Sequence, residues 1–405
     1  MSLYTDIKIL TTANGYKVDK LYSVKPTNGD GDFTAIRNTT ATYENSSGAI
    51  VSAATDVPRL DYSDGSCPTV LLEPASSNIF SNSGFSGAVS GTPGTPPTYW
   101  DFNKSGGSLT VETSKYSAGN KLKFSTSNAR HIVKESIYLN ASTTYLCSML
   151  VNSDLAIALR EILYTSSPSG ATIVWYINGV ESNFSTNIPT GDSVISMKIT
   201  TVSSGYSQVF FGIGIYGNSF TANITFDLPQ LEPLPYRTSY IPTVTTSLVS
   251  RALDSIIDSG TSADFNSVSG TLYLKAKALV SSGTDRVLSA NDGTAANSAS
   301  IVYDSVANTV NGVYTKAGVV IATCTAVITD VTATNKIAFT YEGSSFKLYV
   351  NGSLEHTISS GSVTASNVFN SLDSNQGDNT LHLEAKVYEI QSYSKVLTLL
   401  EVASL

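Results

Sequence analysis

The stretch NKIAFTYEGSSFKLYVNGSLE, Asn335 to Glu355, decides the fold class. Two runs within it, Asn335–Tyr341 and Phe346–Val350, alternate apolar with polar residues and are rich in aromatic and β-branched side chains. That pattern belongs to strands with one buried face. Asn351-Gly352 follows, and both residues tolerate the positive φ of a tight hairpin turn. WYINGV, Trp175–Val180, repeats the arrangement around Asn178-Gly179, and Asn311-Gly312 predicts a third such turn. Working outward, alternating runs recur at Leu109–Glu112, Lys121–Ser125, Val194–Thr200, Gln208–Tyr216, Asn223–Asp227, Gly270–Ala276, Ala299–Tyr303 and Leu381–Tyr388. The chain therefore reads as nearly all β. Helix is expected only in a short piece near Leu155–Leu163 and in the last turns, Leu397–Leu405, and no heptad pattern encodes a coiled-coil shaft.

Composition agrees. Charged residues make up 14% of the 405, against roughly 25% in ordinary soluble domains. The 22 tyrosines nearly equal the 24 lysines and arginines together, a balance that suits strands and broad polar surfaces. A net charge of -8 leaves no basic stripe to neutralise phosphates, which excludes a nucleic-acid binder. No apolar run reaches the ~20 residues that cross a bilayer, and the opening MSLYTDIKIL shows no secretory signal. Cys67, Cys147 and Cys324 are odd in number and far apart, so they are expected as three small buried apolar residues and not as a disulfide framework or zinc site. His131, His356 and His382 stand isolated, and no phosphate-cradling glycine loop or nucleophile elbow occurs.

Proline and glycine clusters divide the chain into three expected parts. Residues 1–77 read as irregular β-structure, 78–243 as a sandwich ending in the Pro-rich LEPLPYRTSYIPT, and 248–405 as a second sandwich. The first part carries a dense motif. In FTAIRNTTATYENSSGAIVSAATDVPRLDYSDGSCPTVLLEPASSNIF, residues 33–80, the phrases RN–ATY–N–G–I, VPR–DY–G–CP and LLEP–N stand at fixed spacings. They include Arg37, Tyr43, Arg59, Tyr62, Cys67, Glu73 and Asn78. This segment resembles one that recurs in virion proteins of tailed bacteriophages. The resemblance implies a surface appendage of the fibre or capsid-decoration kind, with residues 1–77 attaching it to other virion proteins, a trimeric assembly, and a location on the virion.

The second part resembles the jelly roll of carbohydrate-binding modules. Asn78, Ile79, Asn82, Phe85 and Trp100 match the opening phrase of such modules, and ITFDLPQLEP, Ile224–Pro233, matches the closing strand. The resemblance implies a Ca2+ ion near these termini, with Asp227 at the first carboxylate place, Leu228 where a second would stand and Ser86 in place of an expected acid. Tyr99, Trp100, Trp175 and Tyr176 are the side chains suited to stacking on the C–H face of a sugar. Trp175 and Tyr176 must point to opposite faces of one strand, so the alternatives are a sugar platform, a core role, or a subunit contact. TSYIPT, Thr238–Thr243, followed by Arg251, Ala252 and Asp254, resembles a motif that follows such jelly rolls in phage proteins and is expected to dock as a linker strand between domains.

The third part resembles a concanavalin or laminin-G sandwich. Its carriers are GTLYLKAKA at Gly270–Ala278, the hairpin at 335–355, and Val387, Glu389, Ile390, Tyr393, Leu397 and Glu401 of the closing phrase. Relatives of this kind include lectins and glycosidases, and some bind calcium in loops. Asp285, Asn291, Asp292 and Asp304 are the loop residues that could do so here, or they are solvated loop acids. The carboxylates that a glycosidase sets at alternating strand positions are missing between 248 and 405. The function expected is a non-enzymatic virion appendage that adheres to host surface glycans. The alternatives are a purely structural decoration protein that binds no sugar and a glycan-degrading tail spike.

Overall fold

A computed structural model of the protein describes residues 3–127, 130–165, 170–203, 207–217 and 221–405. It is nearly all β, as the alternation predicts. The chain forms two compact units and not three. Met1–Ser46 and Ser52–Ala75 fold together with Ala252–Leu405, whereas Ser47–Val51 and Ser76–Arg251 form the other unit. The expected independent first segment is corrected by strand pairing. Ile7–Lys17 lies antiparallel along Ala385–Tyr393, with Ile7 opposite Tyr393 and Thr12 opposite Glu389. A closing strand with an open edge has unpaired N–H and C=O groups, and the chain start supplies their partners. The next strands, Lys20–Lys25 and Phe33–Ile36, continue the same sheet.

In this first unit the large sheet runs from Ser255–Ile257 through the N-terminal strands to Ala385–Tyr393, Ser269–Ala278, Asn335–Glu342, Ser345–Val350 and Ser353–Ile358. A five-stranded sheet packs on it, in the order Val319–Val327, Thr309–Lys316, Ser298–Tyr303, Arg286–Asn291 and Ser371–Asp373. Ile9, Leu21 and Phe33 from the chain start share one core with Leu274, Ile301, Phe339 and Phe346. Asn351 (φ 49) and Gly352 (φ 83) make the predicted turn. Asn311-Gly312 does not turn: it lies inside Thr309–Lys316, where Gly312 pairs with both Ile301 and Cys324. The turn comes later, at Ala317 (φ 50) and Gly318 (φ 77). The final helix, Leu399–Ala403, begins at Thr398 with a reciprocal capping box to Glu401.

The residues of the 33–80 segment place buried charges inside this unit. Arg37, Arg59, Glu73 and Asp254 are 1–5% exposed and form one ionic network. Arg37 reaches Asp254 at 3.0 Å, Arg59 reaches Glu73 at 2.7 Å, and the second Arg59 amine bonds the other Asp254 oxygen. Burial opposes the Arg59 charge, but Asp254 and Glu73 outweigh it and hold the guanidinium more basic than usual. Arg37 donates further to the carbonyls of Thr39, Val57 and Ala54, and Arg59 to that of Thr42.

The second unit is a two-sheet sandwich. One sheet has seven strands, in the order Ser108–Thr113, Asn120–Ser127, Thr221–Glu232, Thr144–Ser153, Gly191–Thr200, Thr172–Ile177 and Val180–Ser182. The other has four: Leu163–Thr165, Ser207–Ile215, His131–Leu139 and Asp101–Ser105. Phe124, Phe226, Met149, Met197 and Ile195 meet Phe80, Trp100, Val133 and Phe211 between them. TSYIPT packs within this unit, and this revises its expected place as a connector. Thr238 donates to the buried Glu232, Asn78 donates to the carbonyl of Ile241 at 2.9 Å, and Thr243 Oγ1 donates to that of Phe80 at 2.6 Å. Arg251 in turn donates to Ser239 Oγ at 3.0 Å.

Glu135 sits on the core-facing side of His131–Leu139, 7% exposed, and both its oxygens accept the Ser81 N–H. Burial pushes this carboxyl up to about 7, a rise that the Ser81 hydrogen bonds only partly oppose. Between pH 4.5, its ordinary value, and pH 7 the folded chain holds a proton that the unfolded chain has released, so stability falls as pH rises through that window. At ~1.36 kcal/mol per pH unit the loss is about 3 kcal/mol by pH 8. Glu135→Gln removes the term while keeping an acceptor for Ser81. It should match the parent at pH 4 and exceed it by ~1–3 kcal/mol at pH 8 in urea titrations. Parallel pH profiles for the two proteins would sink this account.

Candidate functional site

The outward side of the seven-stranded sheet carries an open groove of about 580 Å³, continuous in its lining with a second hollow of about 420 Å³. Both are bordered by Lys121, Asn152, Asp192 and Thr225. Strand alternation explains the composition. On Asn120–Ser127 the side chains of Leu122 and Phe124 are buried, leaving Lys121 and Lys123 outward. Ile224 and Phe226 likewise send Asn223, Thr225 and Asp227 to the groove side, and Met149 and Val151 send out Leu150 and Asn152.

Register sets these residues in rows. Lys123 pairs with Thr225, Thr225 with Asn152, and Asn152 with Asp192, so one polar row crosses four strands. The neighbouring row holds Leu150 opposite Asp227 and Val194, a short aliphatic strip. Rows on one face lie about 6.8 Å apart, two residues at ~3.4 Å each. Asn152 Nδ2 donates to Asp192 Oδ1 at 2.7 Å, and Asn223 Nδ2 donates to Asp154 Oδ2 at 2.7 Å, so two amide–carboxylate pairs have locked planes. Glu112 faces Lys121 at 3.4 Å across the edge strands.

Asp227, the expected calcium ligand, borders this groove but is already committed. Its oxygens accept Ser114 Oγ at 2.6 Å, the Leu228 N–H at 2.9 Å and the Lys115 N–H at 2.8 Å. Burial raises its pKa above the usual carboxylate value, and those hydrogen bonds pull the other way. In the first unit the four loop residues do not gather at one point. Asp285 accepts the Ser305 N–H at 2.8 Å, and Asp304 caps Val306 and binds Asn311. Asp292 holds Thr294 and Asn297, and Asn291 bridges Ser289, Gly293 and Asp373. Among the described residues no three His, Cys, Asp or Glu side chains converge as metal ligands would.

The four aromatic residues do not form one platform. Trp100, 2% exposed, lies between Phe80 and Phe85 and donates its indole N–H to the Ser81 carbonyl at 3.0 Å. Trp175, 7% exposed, stacks on Phe184 with ring centroids 4.9 Å apart. A buried indole has no free face for a sugar. Tyr176 points outward, opposite Ser196 on the groove side of the sheet, with Lys198 5.5 Å from its ring centre. Tyr99 is 49% exposed, on a left-handed turn (φ 72). Cys147 and Cys324 are buried as expected, whereas Cys67 is exposed; all three are free thiols. Among the described residues no helix is long and apolar enough to cross a membrane.

The groove residues escaped the sequence reading because they are ordinary polar residues at outward strand positions. The usable signal was the alternation itself, which names Lys121, Lys123, Asn152, Asp192, Asn223 and Thr225 once the buried parity is known.

No family model and no curated protein matches the chain. Among solved structures it is similar to CBM40 of the Ruminococcus gnavus IT-sialidase, solved with α2,3-sialyllactose: 18% identity and a TM-score of 0.28 over 34% of this chain and 81% of that one. It is similar to domain 4 of a GH43 extracellular arabinanase from Geobacillus stearothermophilus, solved with arabinotriose, at 11% identity and a TM-score of 0.27 over 38% and 72%. A sialidase of Trypanosoma rangeli aligns at 10% identity and a TM-score of 0.28 over 95% of this chain and 67% of that one. Likeness of this extent carries no ligand over to this chain.

Proposed function

We propose that this chain is a non-enzymatic surface protein of a tailed-phage particle, and that its second unit adheres to host glycans through the groove of the seven-stranded sheet. The observation that carries the reading is the polar row Lys123–Thr225–Asn152–Asp192 beside the Leu150–Val194 strip, fixed on rigid strands in an open groove. A sugar offers hydroxyls on its edge and C–H groups on its face, and this floor offers partners for both. The virion placement rests on the motif of residues 33–80 and on TSYIPT, both found in phage proteins. Binding at one such shallow site is weak and becomes useful through many copies on one particle, which fits a trimeric appendage.

Hydrolysis is a poor fit to the groove. Acid–base cleavage needs two carboxyl groups free to exchange protons with the glycosidic oxygen and a water. Of the four groove carboxylates, Asp154 spends both oxygens on Asn223 and Asp227 spends both on Ser114, Lys115 and Leu228, while Asp192 is tied through one oxygen to Asn152 and Glu112 is paired with Lys121.

The test is a glycan array with the full chain and with Asn152→Ala/Asp192→Ala, both residues being outward and exposed. The double variant should lose at least ~10-fold in apparent affinity without a shift in melting, since two polar contacts of ~1 kcal/mol each are removed. A chain that binds no glycan favours the decoration protein. Release of short oligosaccharides from a host polysaccharide would instead mark a tail spike.

A further inference from the structure

Building on the reading of glycan adhesion in this groove, we infer that its ligand is a neutral oligosaccharide, held by adjacent hydroxyls over the Asn152–Asp192 pair, and not an acidic one. Three observations point to this class.

The first is the locked pair. With Asn152 Nδ2 bound to Asp192 Oδ1 at 2.7 Å, the amide keeps a second N–H and its carbonyl oxygen, and the carboxylate keeps Oδ2. A donor and an acceptor held side by side suit two neighbouring hydroxyls, each of which both gives and takes a hydrogen bond. Thr225 and Lys123 extend the same row, and Lys123 makes no ion pair among the described residues.

The second is charge. Lys115, Lys121 and Lys123 line the two hollows, against Glu112, Asp154, Asp192 and Asp227. The balance of three cations and four carboxylates is net negative, and no arginine is present among the described lining residues to take a carboxylate by a two-pronged bond. In the second hollow an entering sugar acid would meet three carboxylates, Glu112, Asp154 and Asp192, against two cations, Lys121 and Lys123. Like-charge juxtaposition of that kind disfavours an acidic partner.

The third is the floor. Leu150 and Val194 are half-buried and directly opposed, which provides an aliphatic rest for the C–H face of one ring, and no aromatic side chain is among the described residues that line the groove. The groove therefore recognises a ligand by hydroxyl placement.

The experiment uses the full chain on an array of matched pairs, each a neutral oligosaccharide and the same oligosaccharide carrying one terminal sialic or uronic acid, read at low and at physiological salt. Neutral members should bind about tenfold better than their acidic counterparts. The gap should widen at low salt, where repulsion is less screened, and it should narrow in Glu112→Gln. Binding should weaken at least ~10-fold in Asn152→Ala/Asp192→Ala. Equal or tighter binding of the acidic members overturns the inference but leaves glycan adhesion standing. Binding undiminished in the double variant places the ligand elsewhere and overturns it too. If neither member of any pair binds, adhesion itself fails, and the inference falls with it.

Discussion

Asp254→Ala should cost the first unit about 3–5 kcal/mol, the usual consequence of stranding a buried cation by deleting its partner. The variant leaves two guanidinium groups, Arg37 and Arg59, with Glu73 as the remaining carboxylate of the network among the described residues. It also removes the acceptor for the Glu73 N–H. For a unit of this size the loss corresponds to a fall in melting temperature of roughly 6–20 °C, at 2–4 °C per kcal/mol. An exposed pair gives the contrast. Lys395, 41% exposed, bonds Asp6 at 2.9 Å and Glu401 at 3.0 Å, and Lys395→Ala should change stability by at most ~1 kcal/mol. Differential scanning calorimetry of both variants decides the matter. If Asp254→Ala unfolds within a degree or two of the parent, the network is not what holds the motif segment into this unit.

Gly312→Val should destabilise the same unit by ~1–3 kcal/mol or more through overpacking. Gly312 lies mid-strand, and a Cβ there would stand 2.7 Å from Cγ of Phe339, which reaches over from the facing sheet and is fully buried. The requirement is space and not conformation, so even Gly312→Ala carries a cost. A double-mutant cycle isolates the clash: in a Phe339→Leu background the added penalty of Gly312→Ala should shrink. Strictly additive penalties in chemical denaturation would show that the ring is not what excludes a side chain.

Both positions show where local reading ends. Asn-Gly is the strongest short-range turn signal, and at Asn178 (φ 51) and Asn351 (φ 49) it performs as such. At Asn311 the same dipeptide is extended, because a ring from another sheet needs the glycine's empty side. Nothing in the residues beside Gly312 announces Phe339. The motif of residues 33–80 presents a similar case. Its fixed spacings are visible in the chain, but the reason for them is Asp254, some two hundred residues away from Arg37 and Arg59 and joined to them only after folding.

The sandwich core was legible because burial on one face imposes period two, and Phe124, Ile195, Leu274 and Phe339 obey it. The groove was legible only in part. Alternation assigns Lys123, Thr225, Asn152 and Asp192 to outward positions but does not say that their strands are neighbours. The sheet order joins Asn120–Ser127 to Thr221–Glu232 across almost a hundred residues, and this places the four side chains in one row. The aromatic residues failed as a guide for the complementary reason. Trp100 and Trp175 carry more apolar surface than any other side chain, and the core claims them first.

The amino-acid sequence alone thus determined the all-β class, two of the hairpin turns and the capped final helix, since each follows from the stereochemistry of neighbouring residues. Tertiary structure decided that the N-terminal strands complete the C-terminal sandwich and that four distant polar residues share a row. It also buried the tryptophans. Those outcomes depend on which open edges and apolar faces meet, and that is settled only when the whole chain competes for them.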